Sequence, residues 1–253
     1  MRAFLRKTSV QKAMAVLLAL CLWQIGALLL HEELILPSPI KVFVRLFTLW
    51  QIKGIFTAIG ASLLRIAMGF FLALVFGAVL AVLAGRFSFM ETLLFPYMAV
   101  VKAVPVVSFI VLAYVWMSSR TIAVFISFLI VLPTVYTGLL AGIKARDEKL
   151  EEMADVFRIS AKERFLYLRL PNLAPYITSA VSLGAGLAWK SGVAAEIIAI
   201  TSKSIGGLLY SASLEMRNVD LFALTALLVL LSIAFEKMLV LLLKLGFRRL
   251  WHK

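Results

Sequence analysis

Metal binding, disulfide bonding and most nucleophilic catalysis draw on cysteine and histidine, and this chain of 253 residues has one cysteine and two histidines. Cys21 lies alone inside an apolar run, which excludes a disulfide framework. His31 and His252 are far apart in sequence, so neither a metal-ligand spacing nor a Ser/His/Asp set can be drawn from them. No G-x-x-x-x-G-K-[ST] loop occurs, so the chain carries no such cradle for nucleotide phosphates. Charge is scarce as well, at 15% of residues against about a quarter in soluble domains. What fills the chain instead is apolar: 63% of residues, with a mean hydropathy of +1.02. A water-soluble core of this size could not hide that much apolar surface. The formal charge of +13 would suggest nucleic acid in a soluble protein, but its placement points to a membrane.

A helix needs about 20 apolar residues to cross the hydrocarbon of a bilayer. Runs nearly free of charge predict six spans: residues 13–30, 66–85, 95–119 with Lys102 near its start, 121–143, 170–189 continuing past Lys190, and 221–235 extended by 238–243. The first run follows a basic start, as a signal peptide would. It is too long for a signal's apolar region and no small-x-small cleavage site follows promptly, so it is predicted to be a retained span. The predicted fold class is all-α and polytopic. Six spans place both termini on one side. If that side is cytoplasmic it collects seventeen basic residues: Arg2, Arg6, Lys7, Lys12, Arg86, the seven from Lys144 to Arg169, and Lys237, Lys244, Arg248, Arg249 and Lys253. The opposite side collects seven, so the positive-inside rule predicts cytoplasmic termini in an inner membrane. Residues 1–57 are read as the first span and an external interfacial helix, 58–243 as the main transmembrane domain, and 244–253 as a basic cytoplasmic tail.

The non-spanning segments are informative. Ser38 is a good N-cap, Pro39 suits a first helical position, and Ile40, Phe43, Val44 and Phe47 follow at helical spacing, which predicts a short interfacial helix. Residues 144–171 form the largest loop on the cytoplasmic side. There Leu150, Met153, Ala154 and Phe157 make one apolar stripe on an otherwise charged helix. Ser160 and Glu163 read as a capping box that opens a second short helix, which Pro171 is expected to end at the membrane. Such a helix pair could pack on its own membrane face or dock in a partner's groove.

This loop resembles the signature of the inner-membrane components of binding-protein-dependent ABC importers: Glu-Ala-Ala, three residues, Gly, nine residues, Ile-x-Leu-Pro. Glu152-Met153-Ala154 fill the first triplet, Arg158 the glycine position, Leu168 the isoleucine position and Leu170-Pro171 the end. Met153 and Arg158 depart from the pattern. Glycine would supply the bend between the helices, so Arg158 must bend without that freedom, or Ser160 must. Other segments are similar to the branch that imports sulfonates, taurine and nitrate: Leu36-Pro37-Ser38-Pro39, Ser62-Leu63-Leu64-Arg65 followed by Gly69, Gly77 and Gly85, Ala188-Trp189, Ala195-Glu196, and Ser204-Ile205-Gly206. In the third span the family often has Pro-x-x-Ala-x-x-Pro-Leu, where this chain has Pro105, Ser108, Val111 and Leu112.

The resemblance implies a type I importer permease of six helices, acting as a homodimer with one path at the interface. It implies two ATPase subunits docked on residues 147–169, with Leu150, Glu152, Met153, Ala154, Phe157, Arg158, Ser160, Leu170 and Pro171 as the coupling set. ATP and catalysis would belong to those subunits, leaving this chain without a cofactor. An external solute-binding protein would deliver the solute, a small anion such as a sulfonate, taurine or nitrate. Within the family the alternative is a vitamin precursor such as a pyrimidine. A secondary transporter would normally show inverted repeats and more acidic residues at the midplane.

Charged groups at membrane depth are candidate pathway residues. Lys190 lies fifteen residues beyond Pro175, about 22 Å along a helix at ~1.5 Å per residue. It could line the path or pair permanently with an acid such as Glu196 of a second subunit. The expected pathway set is Pro105, Ser108, Trp189, Lys190 and Glu196. Lys102 is expected to snorkel to the cytoplasmic surface. Pro105 and Pro133 interrupt the third and fourth spans and permit kinks. Gly69, Gly77 and Gly85 step by eight, which suits close helix packing.

Overall fold

The computed structural model describes residues 8–251. Arg2, Arg6, Lys7 and Lys253 of the orientation count, and His252, lie outside the described residues. The described residues form helices and no strands: α1 (Thr8–Leu30), α2 (Pro39–Thr48), α3 (Ile55–Arg86), α4 (Ser88–Ala103), α5 (Val106–Trp116), α6 (Ile122–Lys144), α7 (Glu148–Val156), α8 (Leu170–Ile198), α9 (Ile205–Leu214) and α10 (Asn218–Trp251). By length and apolarity α1, α3, α6 and α10 can each cross a membrane.

The third predicted span is not one rod. α4 and α5 together reach crossing length, but they meet at 101°. Pro105 offers no N–H and biases the preceding Val104 to extended backbone (φ −77°, ψ 132°), so α4 stops and α5 starts afresh. Pro133, by contrast, sits within an unbroken α6. The fifth predicted span is α8, 29 residues long and rich in small buried residues. The sixth, α10, runs on through residue 244, so the tail boundary drawn there falls inside one helix.

Glycines set the packing of the core. A methyl group built on Gly69 would meet Ser127 Cβ at 2.7 Å, one on Gly77 would meet Val135 Cγ1 at 2.8 Å, and one on Gly85 would meet Ile143 Cγ2 at 2.6 Å. All three contacts fall on α6, and both helices advance by eight residues per contact. α3 and α6 are therefore parallel and in close backbone approach. α8 runs antiparallel to α6, with Gly142 on Tyr176, Gly138 on Ala180 and Gly184 on Val131. α10 covers α8 through Phe235, whose ring meets Trp189 and Phe70 edge-on at 6.2 and 5.8 Å.

The segment between α1 and α3 carries the expected short helix, α2. Ser38 accepts from Lys41 N (3.3 Å) and Pro39 takes the first position of α2. Ile40, Phe43, Val44 and Phe47 are all exposed, while Val42 is buried below. Arg45 reaches across to Asp220 at 2.5 Å and clips α2 to the start of α10. Trp23 of α1 donates to the Pro37 carbonyl (3.1 Å).

Candidate functional site

In the loop between α6 and α8, Asp147 caps α7 by accepting from Lys149 N and Leu150 N at 3.0 and 3.4 Å. The predicted stripe divides. Ala154 is fully buried, whereas Leu150, Met153 and Phe157 stay exposed and Val156 joins them. The inward side is held by charge. Glu151 accepts from Arg169 at Nε (2.8 Å) and Nη2 (3.0 Å) and from Arg164 (3.4 Å), and Arg164 also bonds Asp155. The Arg169 hydrogen bonds hold the Glu151 carboxyl below the usual carboxylate range. Because the folded value is depressed, this contribution is present above the unfolded pKa and is lost as pH falls through the folded one. Glu152 faces the other way, exposed beside Met153.

The bend between the loop helices is made by Arg158, in the left-handed conformation at φ 50°. Ile159 N returns to the Ala154 carbonyl at 2.9 Å, closing the helix end as a glycine cap would. Arg158→Gly should therefore stabilise the loop by about 1 kcal/mol, while Arg158→Glu keeps the strain. Amide exchange of residues 150–159 measures this, and slower exchange is expected in the glycine variant. Ser160 then forms the predicted capping box with Glu163.

Pro171 does not end this second helix. The chain continues from Ala161–Glu163 through a π-helical stretch, Arg164–Arg169, directly into α8, with Leu170 N bonding Phe165 O. The wider π turn accommodates a proline in the first turn of α8, where its missing N–H is tolerated. Leu170 and Pro171 thus join the loop to α8 without a break.

The expected pathway residues separate into two groups. Glu196 is fully buried and accepts from Arg65 Nε and Nη2 (3.0 and 2.8 Å), Ser62 Oγ (2.7 Å) and Gly206 N (3.2 Å). Ser62 Oγ also accepts from Ile205 N (2.9 Å), and Arg65 Nη2 donates to the Lys203 carbonyl (3.2 Å). Gly206 packs on the Glu196 side chain where any Cβ would collide. Three separate segments of the sequence comparison meet here: 62–65, 195–196 and 204–206. The network ties α3, α8 and α9 together within one chain, so Glu196 has no need of a second subunit. Trp189 is likewise buried, against Phe235.

Lys190, Pro105 and Ser108 are exposed. Lys190 shares one face of α8 with Ser179, Leu183 and Gly186, and nothing lies within 4 Å of a methyl built on Gly186. Among the described residues Lys190 has no hydrogen bond or ion pair. α5 reaches this region through Ile110 and Ala113, which join Ala195 of α8 and Ala199 just beyond its end in one apolar cluster. Lys102 is exposed and donates to Thr137 Oγ1 of α6 at 3.2 Å. The acid that the sequence reading passed over is Glu236, within α10, which accepts from Ser182. No group of three or more His, Cys, Asp or Glu able to hold a metal ion occurs among the described residues.

Residues 73–249 match the family of binding-protein-dependent transport system inner membrane components. The chain belongs to this family. It is similar to the taurine transport system permease protein of Escherichia coli (strain K12), 29% identical over 242 residues that cover 91% of this chain and 85% of the relative. It is also similar to the nitrate import permease protein of Synechocystis sp. (28% over 213 residues, 80% and 76%) and the putative aliphatic sulfonates transport permease protein of Bacillus subtilis (27% over 208 residues, 81% and 74%). The chain is thus an integral inner-membrane permease subunit of an ABC importer, working with ATPase subunits and a solute-binding protein.

Proposed function

We propose that two copies of this permease enclose a translocation path for a small oxyanion-bearing solute, with the uncovered face of α8 as its wall and Lys190 as the cation that solutes pass. The observation that carries this is Lys190 itself, exposed on α8, the helix read as the fifth span, with no partner among the described residues. An unpaired ammonium in hydrocarbon is costly, and a water-filled path removes the cost. Its rival, permanent pairing with Glu196 of a second copy, is disfavoured because Arg65 already holds that carboxylate. The relatives' named solutes, taurine, nitrate and aliphatic sulfonates, share the oxyanion chemistry that a lysine attracts.

The chain is read as crossing the membrane six times. Because α3 and α6 are parallel, the bent α4–α5 pair must return the chain to its starting side, and α8 and α10 then add two crossings. The excess of basic residues places both termini and the loop at 144–171 in the cytoplasm. ATP binding and hydrolysis stay with the docked ATPase subunits, on the coupling set from Leu150 to Pro171, and this chain supplies neither a catalytic group nor a cofactor. Single cysteines test the orientation. In a Cys21→Ala background, an impermeant reagent added outside should label Lys203→Cys and leave Ser160→Cys unlabelled. The reverse pattern overturns the orientation.

A further inference from the structure

A cavity of about 440 Å³ lies at the root of the coupling loop, away from the uncovered face of α8. Its walls are the last turn of α3 (Val82, Gly85, Arg86), the end of α6 with Arg146 just beyond, and the run from Phe165 to Leu173 that enters α8. Three arginines therefore meet at one place where membrane helices end. Arg169 is engaged with Glu151 and Arg146 lies within electrostatic reach of the same carboxylate, but neither Arg86 nor Arg146 forms a hydrogen bond or ion pair among the described residues. Asn172 also lines the cavity, its amide donating to the Ala145 carbonyl at 2.7 Å. The remaining side chains of the lining, Val82, Ile143, Phe165 and Leu173, give the cavity an apolar floor.

The bland account places Arg86 and Arg146 at helix C-termini, where a cation is mildly favoured whatever else is present. That explains each arginine singly. It does not explain why two unpaired guanidiniums share a cavity with a third and with an apolar floor. We infer that this cavity is a binding site for a phosphate-type oxyanion, held by Arg86 and Arg146, and that its occupant is the headgroup of an anionic phospholipid of the cytoplasmic leaflet. Guanidinium matches phosphate in bidentate geometry, and the apolar floor takes the glycerol and the start of an acyl chain. A free oxyanion shares the headgroup chemistry but leaves that floor unfilled.

The site's position gives it a consequence. It joins the ends of α3 and α6 to the π-helical stretch through which the coupling loop moves α8, so a bound headgroup braces the route by which ATPase motion reaches the path. Its placement in the inner leaflet rests on the proposed orientation. Binding itself does not, so failure of the cysteine labelling and failure of the site are told apart.

The test is native mass spectrometry of the purified permease titrated with phosphatidylglycerol or phosphatidylcholine. Wild type should retain phosphatidylglycerol selectively. Arg86→Gln/Arg146→Gln should weaken that binding roughly twenty-fivefold, about fivefold for each charge, with an unchanged melting temperature. Arg86→Lys/Arg146→Lys should recover most of it, which separates charge from folding. Competition by inorganic phosphate in wild type alone would extend the site to free oxyanions. A lack of competition would confine it to the lipid. Equal retention of the two lipids by wild type, or undiminished selectivity in the glutamine double variant, overturns the inference.

Discussion

Arg65→Met should destabilise the permease by about 3–5 kcal/mol, the range expected when one member of a buried ion pair is removed. Glu196 has no exposed surface, and Arg65 supplies two of its four hydrogen bonds, leaving Ser62 and Gly206 N for the rest. Without the guanidinium a carboxylate would remain at the junction of α3, α8 and α9 with no opposing charge. Replacing both partners, Arg65→Met with Glu196→Met, removes the uncompensated charge and should regain part of the loss. Thermal unfolding in detergent measures all three proteins. If Arg65→Met melts with wild type, the network does not fasten α3, α8 and α9 together.

Glu152→Lys should abolish transport and weaken ATPase association by about a hundredfold, because a like charge is set against a partner surface that otherwise attracts it. Glu152 is exposed next to Met153, and no bond of its own to any described residue has to be broken. Folding and membrane insertion should therefore be unchanged. Glu151→Lys is the instructive contrast. It places a cation against Arg164 and Arg169, so it should unfold the loop itself. Co-purification of Glu152→Lys with its ATPase at wild-type yield, together with normal uptake, would show that α7 docks by another face.

Local signals were read well where the physics is local. Ser38 and Ser160 cap as their spacing predicts, and the glycine steps of eight do mark a packing seam. Two local rules were overruled. A proline normally bounds a helix, yet Pro171 sits in a continuous one because the π-helical stretch before it changes the backbone the ring meets. A charge normally ends a span, so the second was predicted to open at Ile66. The helix itself is longer, Ile55–Arg86, and carries Arg65 in its interior, paired with a residue 131 positions away. That pairing could not be read from periodicity. Its only trace was three short motifs, at 62–65, 195–196 and 204–206, each uninformative about the others until folded. The pathway set divides between buried and exposed residues for the same reason. Trp189 and Glu196 flank the exposed Lys190 in sequence, but rotation by ~100° per residue turns both inward. In the loop, the acid that matches the family's loop motif, Glu152, and the acid that holds the loop together, Glu151, are adjacent, and only the fold shows that one is exposed and the other paired.

The proposed path stands most directly on Lys190. Uptake of radiolabelled taurine or nitrate, whichever the binding protein delivers, should be measured in vesicles holding the complete importer with Lys190→Met, beside ATP hydrolysis by the same preparation. A lysine that lines the path predicts intact assembly and basal hydrolysis, uptake lowered by about tenfold or more, and recovery in Lys190→Arg. Wild-type uptake by Lys190→Met would contradict the assignment of the α8 face as the anion path.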